Sequence, residues 1–109
     1  MVKKTFPKLN IRGKKVTYTQ EAAEALAARA LAWIAAQDDL LGVFMGASGL
    51  SEADLRRSAG DALVLAAVLD FLVMDDRWVI GFCADADLPT DAPMRARAAL
   101  PGGGEMHWT

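Results

Sequence analysis

The sequence predicts an all-α protein, a compact bundle of five to six short helices around a central apolar helix at about residues 61–74. Residues 62–74, ALVLAAVLDFLVM, form the most apolar passage of the chain and carry only one charge, Asp70. Alanine, the strongest helix former, dominates residues 20–37. No segment shows the strict alternation of apolar and polar residues that is typical of a half-buried strand.

The central apolar segment is expected to be a buried helix. Its large apolar residues recur at steps of three and four: Leu65, Val68, Leu69 and Leu72, with Val64 and Phe71 beside them. A buried strand is the competing interpretation, but the length and the leucine and alanine content favour a helix. The segment is shorter than the roughly 20 apolar residues that cross a bilayer. A helix that is apolar almost all round is expected to lie in the middle of the bundle, covered by the others.

Two helices are predicted before it. Thr19 or Thr17 caps the first, which runs to Gln37 and has acidic residues near its start, where the helix dipole favours them. Asp38 and Asp39 are expected to stop this helix and to cap the second, which runs from residue 40 to about 47 and ends at Gly49. The inward residues are predicted to be Leu26, Ala27, Ala30, Leu31, Trp33 and Ile34 in the first helix, and Leu41, Phe44 and Met45 in the second.

A third helix is predicted just before the central one, and a fifth and a sixth after it. Ser51 and Asp54 resemble a capping box at the start of a short third helix that ends near Gly60. Asp61 is predicted to cap the central helix, and Asp75 and Asp76 to begin a fifth that runs to about residue 86. Thr90 and Asp91 can cap a sixth. The predicted inward residues are Trp78, Val79, Phe82 and Cys83 in the fifth helix and Met94, Ala98 and Leu100 in the sixth.

Charge and glycine content divide the chain into three parts: a basic N-terminal arm at 1–18, expected to be coil or one short extended segment, a helical domain at 19–101, and a glycine-linked tail at 102–109. Six basic residues and no acid lie in the arm, namely Lys3, Lys4, Lys8, Arg12, Lys14 and Lys15. The other 91 residues hold six basic and fourteen acidic residues. The arm is a solvated segment, a phosphate-binding segment for nucleic acid, or a segment that docks on an acidic partner such as another copy.

Residues that could support catalysis or metal binding are few. Cys83 is the single cysteine and His107 the single histidine, so neither belongs to a zinc cluster. The acidic pairs lie at helix boundaries, where capping accounts for them. We therefore predict no enzyme activity, no metal and no cofactor. One cysteine and no signal-like or membrane segment favour the cytosol.

Two single residues stand out. Asp70 interrupts the central apolar pattern and shares a helix side with Leu63, Ala66, Ala67 and Met74, so it is either an edge residue paired with Arg29 or Arg56 or a polar contact for a partner. Trp108 follows a run of glycines without any periodic reason. It either packs back on the domain or anchors a partner, because a tryptophan contributes a large apolar area.

Several segments resemble one bacterial family. They are LAWIAAQ, LSEADLRRSAGD, VLDFLVMDDRWVIGFC, and PMRARAALPGG followed by HWT. Together they are similar to domain of unknown function 3572, found mainly in alphaproteobacteria, over about residues 20 to 109. The resemblance implies a cytosolic helical domain and brings no activity, cofactor or catalytic residue. The basic arm lies outside it.

The sequence thus favours a non-catalytic module for protein–protein interaction or self-association, whose partner it does not identify. The alternative is a nucleic-acid-associated protein that uses the basic arm. The candidate partner contacts are Lys3, Lys4, Lys8, Arg12, Lys14, Lys15, Asp70 and Trp108.

Overall fold

A computed structural model describes residues 17–102, which form six α-helices and no strand. The helices are α1 (Gln20–Ala36), α2 (Leu40–Ser48), α3 (Glu52–Ser58), α4 (Ala62–Leu72), α5 (Asp76–Ala86) and α6 (Ala92–Ala98). The all-α class is confirmed. The predicted central helix is α4, which is shorter than residues 61–74 because Asp61 and Val73 are its caps. Residues 1–16 and 103–109 lie outside the described part, so the division into arm, domain and tail stays a prediction.

Side chains cap four of the helix starts, as the sequence predicts. The hydroxyl of Thr19, rather than that of Thr17, accepts a hydrogen bond from the backbone N–H of Ala22 at 3.0 Å. Asp61 and Asp75 accept bonds from backbone N–H groups two residues ahead, both at 2.8 Å. Ser51 and Asp54 form the reciprocal capping box at the start of α3. These bonds satisfy N–H groups that a helix start leaves without partners.

Two predicted side-chain caps are wrong. Asp39 occupies the position before α2 but has φ 64° and makes no capping hydrogen bond with its side chain. The connection from α1 to α2 is short and places Asp39 in the left-handed region, which aspartate tolerates better than most residues. Asp91, before α6, also makes no side-chain cap; its carboxylate instead accepts a bond from Arg95 Nε at 2.8 Å.

The centre of the bundle is a pair of helices, α1 and α4. They pack against each other, and α2 and α6 each contact both. The buried alanines of α1, Ala23, Ala27 and Ala30, let its backbone approach these neighbours closely. α5 joins through aromatic contacts: Trp33 meets Phe82 edge-on at 6.1 Å between ring centroids, and Trp78 stacks on Phe71 of α4 at 4.6 Å.

Burial confirms most of the predicted core. Leu65, Val68, Leu69, Leu72 and Phe44 are all buried. Trp33 and Trp78 are only half-buried, which corrects the expectation that they would be core residues. For Trp33 the cause is the polar edge of the ring, because its indole N–H donates to the exposed Asp85 carboxylate at 2.8 Å.

The orientation of α6 differs from the prediction. Its buried residues are Ala92, Pro93 and Ala96, followed by Leu100, which was correctly expected to face inward. Met94 is 65% exposed and Ala98 is also exposed, so both predicted inward positions are wrong. Small residues, rather than the largest apolar one, face α1 and α4 because the helices lie close together there.

Candidate functional site

A shallow groove between α2 and α4 leaves apolar surface uncovered in the described structure. Phe44 and Phe71 form its floor and meet edge-on with ring centroids 5.3 Å apart. Its walls come from the end of α2 and one side of α4, and consist of Ala47, Ser48, Ala67, Asp70 and Met74. The cavity volume is about 170 Å³.

That volume argues against a small-molecule pocket, since such pockets usually measure about 300–1,000 Å³. It suits one large side chain offered by a partner. Met74 lines the groove and is 70% exposed, so it is available to contact such a side chain. Methionine adapts to different apolar shapes because its side chain is unbranched.

The apolar side of α4 continues beyond the groove. Leu63, Ala67, Asp70 and Met74 follow each other at helical spacing and therefore lie on one side of α4 and its C-terminal extension. Leu63 is 68% exposed, which makes it and Met74 the two most exposed large apolar residues of the described chain. This α4 side runs for about 16 Å, a length that a partner helix of three turns would match.

Asp70 lies in the middle of this side and forms an ion pair, as one of its two interpretations required. Its partner is Arg97 of α6, however, and neither Arg29 nor Arg56. Arg97 Nε donates to Asp70 Oδ1 at 2.7 Å, and Nη2 to Oδ2 at 3.3 Å. The Asp70 side chain keeps 59% of its surface exposed. It can therefore accept a further hydrogen bond from a basic group of a partner.

The two arginines that were expected to pair with Asp70 form other contacts. Arg56 pairs with Glu52 at 2.8 Å, and Arg29 donates to the backbone carbonyl of Ala86 at 3.2 Å. Arg97 also donates to the carbonyl of Pro101 at 2.9 Å and so fixes the turn that follows α6. Sequence spacing does not reveal this arrangement because Asp70 and Arg97 are 27 residues apart.

The other predicted contact residues cannot be placed. Those of the arm and the tail, namely Lys3, Lys4, Lys8, Arg12, Lys14, Lys15 and Trp108, lie outside the described residues. The groove residues of α2 had no sequence signal, since Ala47 and Ser48 are small and lie beside the predicted core position Phe44. Met74 was identified as a neighbour of Asp70 on the helix side, and it is exposed; Ala66, assigned to the same side, is buried instead.

The described surface is acidic. Residues 17–102 contain thirteen acidic side chains and six arginines, a net charge of −7. Five of the arginines form ion pairs with acidic side chains inside this part of the chain. These pairs are largely solvent-exposed and each contributes little to stability. Their main effect is that the arginines are already occupied, which leaves the surface with an excess of carboxylates.

Cys83 is buried and lies on the inner side of α5. Burial raises the pKa of its thiol, and the Asp91 carboxylate raises it further. A thiol with a raised pKa is a poor nucleophile because the reactive form is the thiolate. Residues 17–102 contain no group of three histidine, cysteine or acidic side chains arranged to hold a metal ion. Within the same residues, no helix combines the length and the apolar character that crossing a membrane requires.

Comparison with known proteins identifies a family. Residues 20–103 match the model of a family described as protein of unknown function (DUF3572). The match covers more than half of the chain and stops before most of the C-terminal tail. No curated protein and no solved structure matches the chain.

Proposed function

We propose a function from the geometry of the chain itself, since the chain belongs to the DUF3572 family, whose description assigns none. The proposed function is a non-catalytic helical module that binds an amphipathic helix of another protein between α2 and α4. The observation that carries the proposal is the exposed apolar side of α4 next to a groove sized for one side chain. Its occupant would present apolar residues at helical spacing, as in other helix-in-groove complexes.

The charge of the described surface suggests the character of the partner. An acidic surface with Asp70 beside the groove favours a helix that carries a lysine or arginine at the edge of its apolar stripe. Such a charge would speed association and orient the helix more than it would add affinity. Most of the affinity would come from burying apolar side chains, at roughly 1.5–3 kcal/mol for each one that is fully buried.

The second function considered, nucleic-acid binding through the arm, gains no support from the described surface. Thirteen carboxylates against six arginines repel phosphate, so the arm alone would have to supply the affinity. We propose a cytosolic location because the sequence contains a single cysteine, Cys83, which is free and buried.

Site-specific photo-crosslinking in cells that express the full chain tests the proposal. A photoreactive amino acid replaces Met74 in the groove or, as a control, Ile80, which is similarly exposed on α5. We expect a discrete adduct with another protein from position 74 and none from position 80. Equal adducts from both positions, or none from position 74, would refute the groove. An adduct of twice the chain mass would show a second copy as the occupant and refute a different protein as the partner.

A matched pair of substitutions separates docking from folding. Ala47→Arg places a charge on the groove wall, whereas Ala35→Arg places the same charge on an exposed position of α1 outside the groove. Both variants should keep their helical circular dichroism. Only Ala47→Arg should abolish the position-74 adduct. Capture that depends instead on intact nucleic acid, and is lost on nuclease treatment, would favour the arm-based function.

A further inference from the structure

A second, larger groove lies between the segment before α1 and the outer side of α6. Its lining consists of Thr17, Tyr18, Met94, Arg95, Ala98 and Ala99, and its volume is about 550 Å³. Met94 and Ala98 are one helical turn apart and form the apolar floor. These are the residues whose sequence pattern predicts inward positions, although the described part of the chain leaves them exposed.

We propose that the C-terminal tail of the same chain, residues 103–109, folds back into this groove and places the Trp108 indole on Met94 and Ala98. The proposal concerns a different surface from the α2–α4 groove and does not depend on it. Chemistry favours the pairing, because an indole gains from contact with a methionine sulfur and can stack on a neighbouring guanidinium such as that of Arg95.

The path of the chain makes the contact reachable. The turn after α6 is held by Arg97, which donates to the carbonyl of Pro101, and Gly102 has a left-handed backbone with φ 87°. The tail therefore starts beside α6, the helix that forms the groove floor. Trp108 is the sixth residue after Gly102, and this length of chain spans up to about 20 Å, whereas the whole of α6 is only about 10 Å long.

The competing occupant is the N-terminal arm, which enters the described structure at Thr17. Lys14 and Lys15 are the last charged residues of the sequence before Thr17 and lie outside the described residues. Arg95 is already paired with the Asp91 carboxylate at 2.8 Å, so its charge does not choose between the arm and Glu105 of the tail. The tail is the proposed occupant because it begins beside α6 and supplies an indole for contact with Met94.

Methionine oxidation tests the proposal with an internal control. Met94 and Met74 are almost equally exposed in the described structure, at 65% and 70%, but only Met94 lies in the groove. Oxidation by dilute hydrogen peroxide, followed by peptide mass spectrometry, gives both rates in one sample of the full chain. If the tail is docked most of the time, Met94 should oxidise about threefold or more slowly than Met74, because oxidation follows exposure.

Tail variants identify what protects Met94. Truncation after Gly104 and the substitution Trp108→Ala should both make the two rates equal, while Trp108→Phe should retain much of the protection. Met45, which is half-buried in α2, should keep its rate in all variants and so reports an intact bundle. Equal rates in the full chain would overturn the proposal. Protection that grows with protein concentration, or that is lost on deletion of residues 1–16 instead, would assign the groove to a second copy or to the arm.

Discussion

Leu69 and Leu63 lie on the same helix, six residues apart, yet Leu69 is completely buried and Leu63 is 68% exposed. The buried side of α4 packs on α1, α2 and α6, whereas Leu63, Asp70 and Met74 on another side are exposed and Ala67 is half-buried. The exposed side includes the charged Asp70, yet its Leu63 is the same residue type as the buried Leu69. The difference teaches that apolar character alone did not decide burial in α4; the number of neighbouring helices did.

The proposed function depends on the exposed side of α4, called here the open side. The stability of the fold depends on the buried side. A substitution on one side should therefore alter stability with little effect on binding, and a substitution on the other should do the reverse. The following predictions compare the two sides, or closed and open positions elsewhere in the bundle, in order of decreasing expected effect.

The largest contrast is expected between Leu69→Ala and Leu63→Ala. Removing the buried Leu69 side chain leaves a cavity and should lower the free energy of unfolding by about 2–5 kcal/mol. The same change at Leu63 should lie within about 0.5 kcal/mol of the wild type, since the side chain already contacts water. Urea denaturation followed by circular dichroism measures both. Equal losses at the two positions would show that the two sides of α4 are not different environments.

Gly81 and Gly42 offer a second comparison, between a tightly packed position and an uncrowded one. A Cβ atom at Gly81 would lie 2.9 Å from Trp33 Cζ2, whereas one at Gly42 would meet nothing within 4 Å. Gly81→Ala should therefore destabilise the protein by about 1–3 kcal/mol through overpacking of α5 against α1. Gly42→Ala should stabilise it by roughly 0.5–1 kcal/mol, because alanine favours the helix interior. Thermal unfolding midpoints that shift in opposite directions would confirm this difference.

Asp70 and Arg97 connect the open side of α4 to α6, and their ion pair should contribute modestly. Asp70 is more than half exposed and Arg97 is 20% exposed, so solvent screens the attraction. A double-mutant cycle with Asp70→Asn and Arg97→Gln should give a coupling free energy of about 0.5–1 kcal/mol that falls as salt is added. A coupling free energy of zero would mean that the ion pair does not stabilise the fold and does not restrain the Asp70 side chain.

The smallest effect is expected from an exposed local contact, the capping box of α3. The Ser51 backbone N–H, its hydroxyl and Arg57 hold the pKa of the Asp54 carboxyl below its ordinary value of 3.8. Because the folded-state pKa is lowered, this contribution to stability is complete above pH 3.8 and is lost as the pH falls through the folded-state value. Asp54→Asn should therefore weaken the pH dependence of unfolding only on the acid side. A variant whose stability loss is the same at every pH would contradict the assignment.

Local features of the fold followed from the sequence alone. The caps at Thr19, Ser51, Asp61 and Asp75 were predicted from residue type, as was the C-terminal stop at Gly49, which has φ 80°. Each depends on backbone or side-chain groups within a few residues, so the sequence contains both partners of the contact. The buried pattern of α4 was also predictable, since Leu65, Val68, Leu69 and Leu72 recur at the helical period.

What the sequence left open was which apolar side of each helix would be covered. Met94 was expected inside because it is the large apolar residue of α6, but small residues of α6 pack on α1 and α4 instead. Asp70 was given the wrong partner because Arg97 approaches it only after α4 and α6 have packed together. Helix periodicity fixes which residues share a side, whereas burial of that side depends on helices distant in the chain. The candidate grooves therefore emerged only from the tertiary structure.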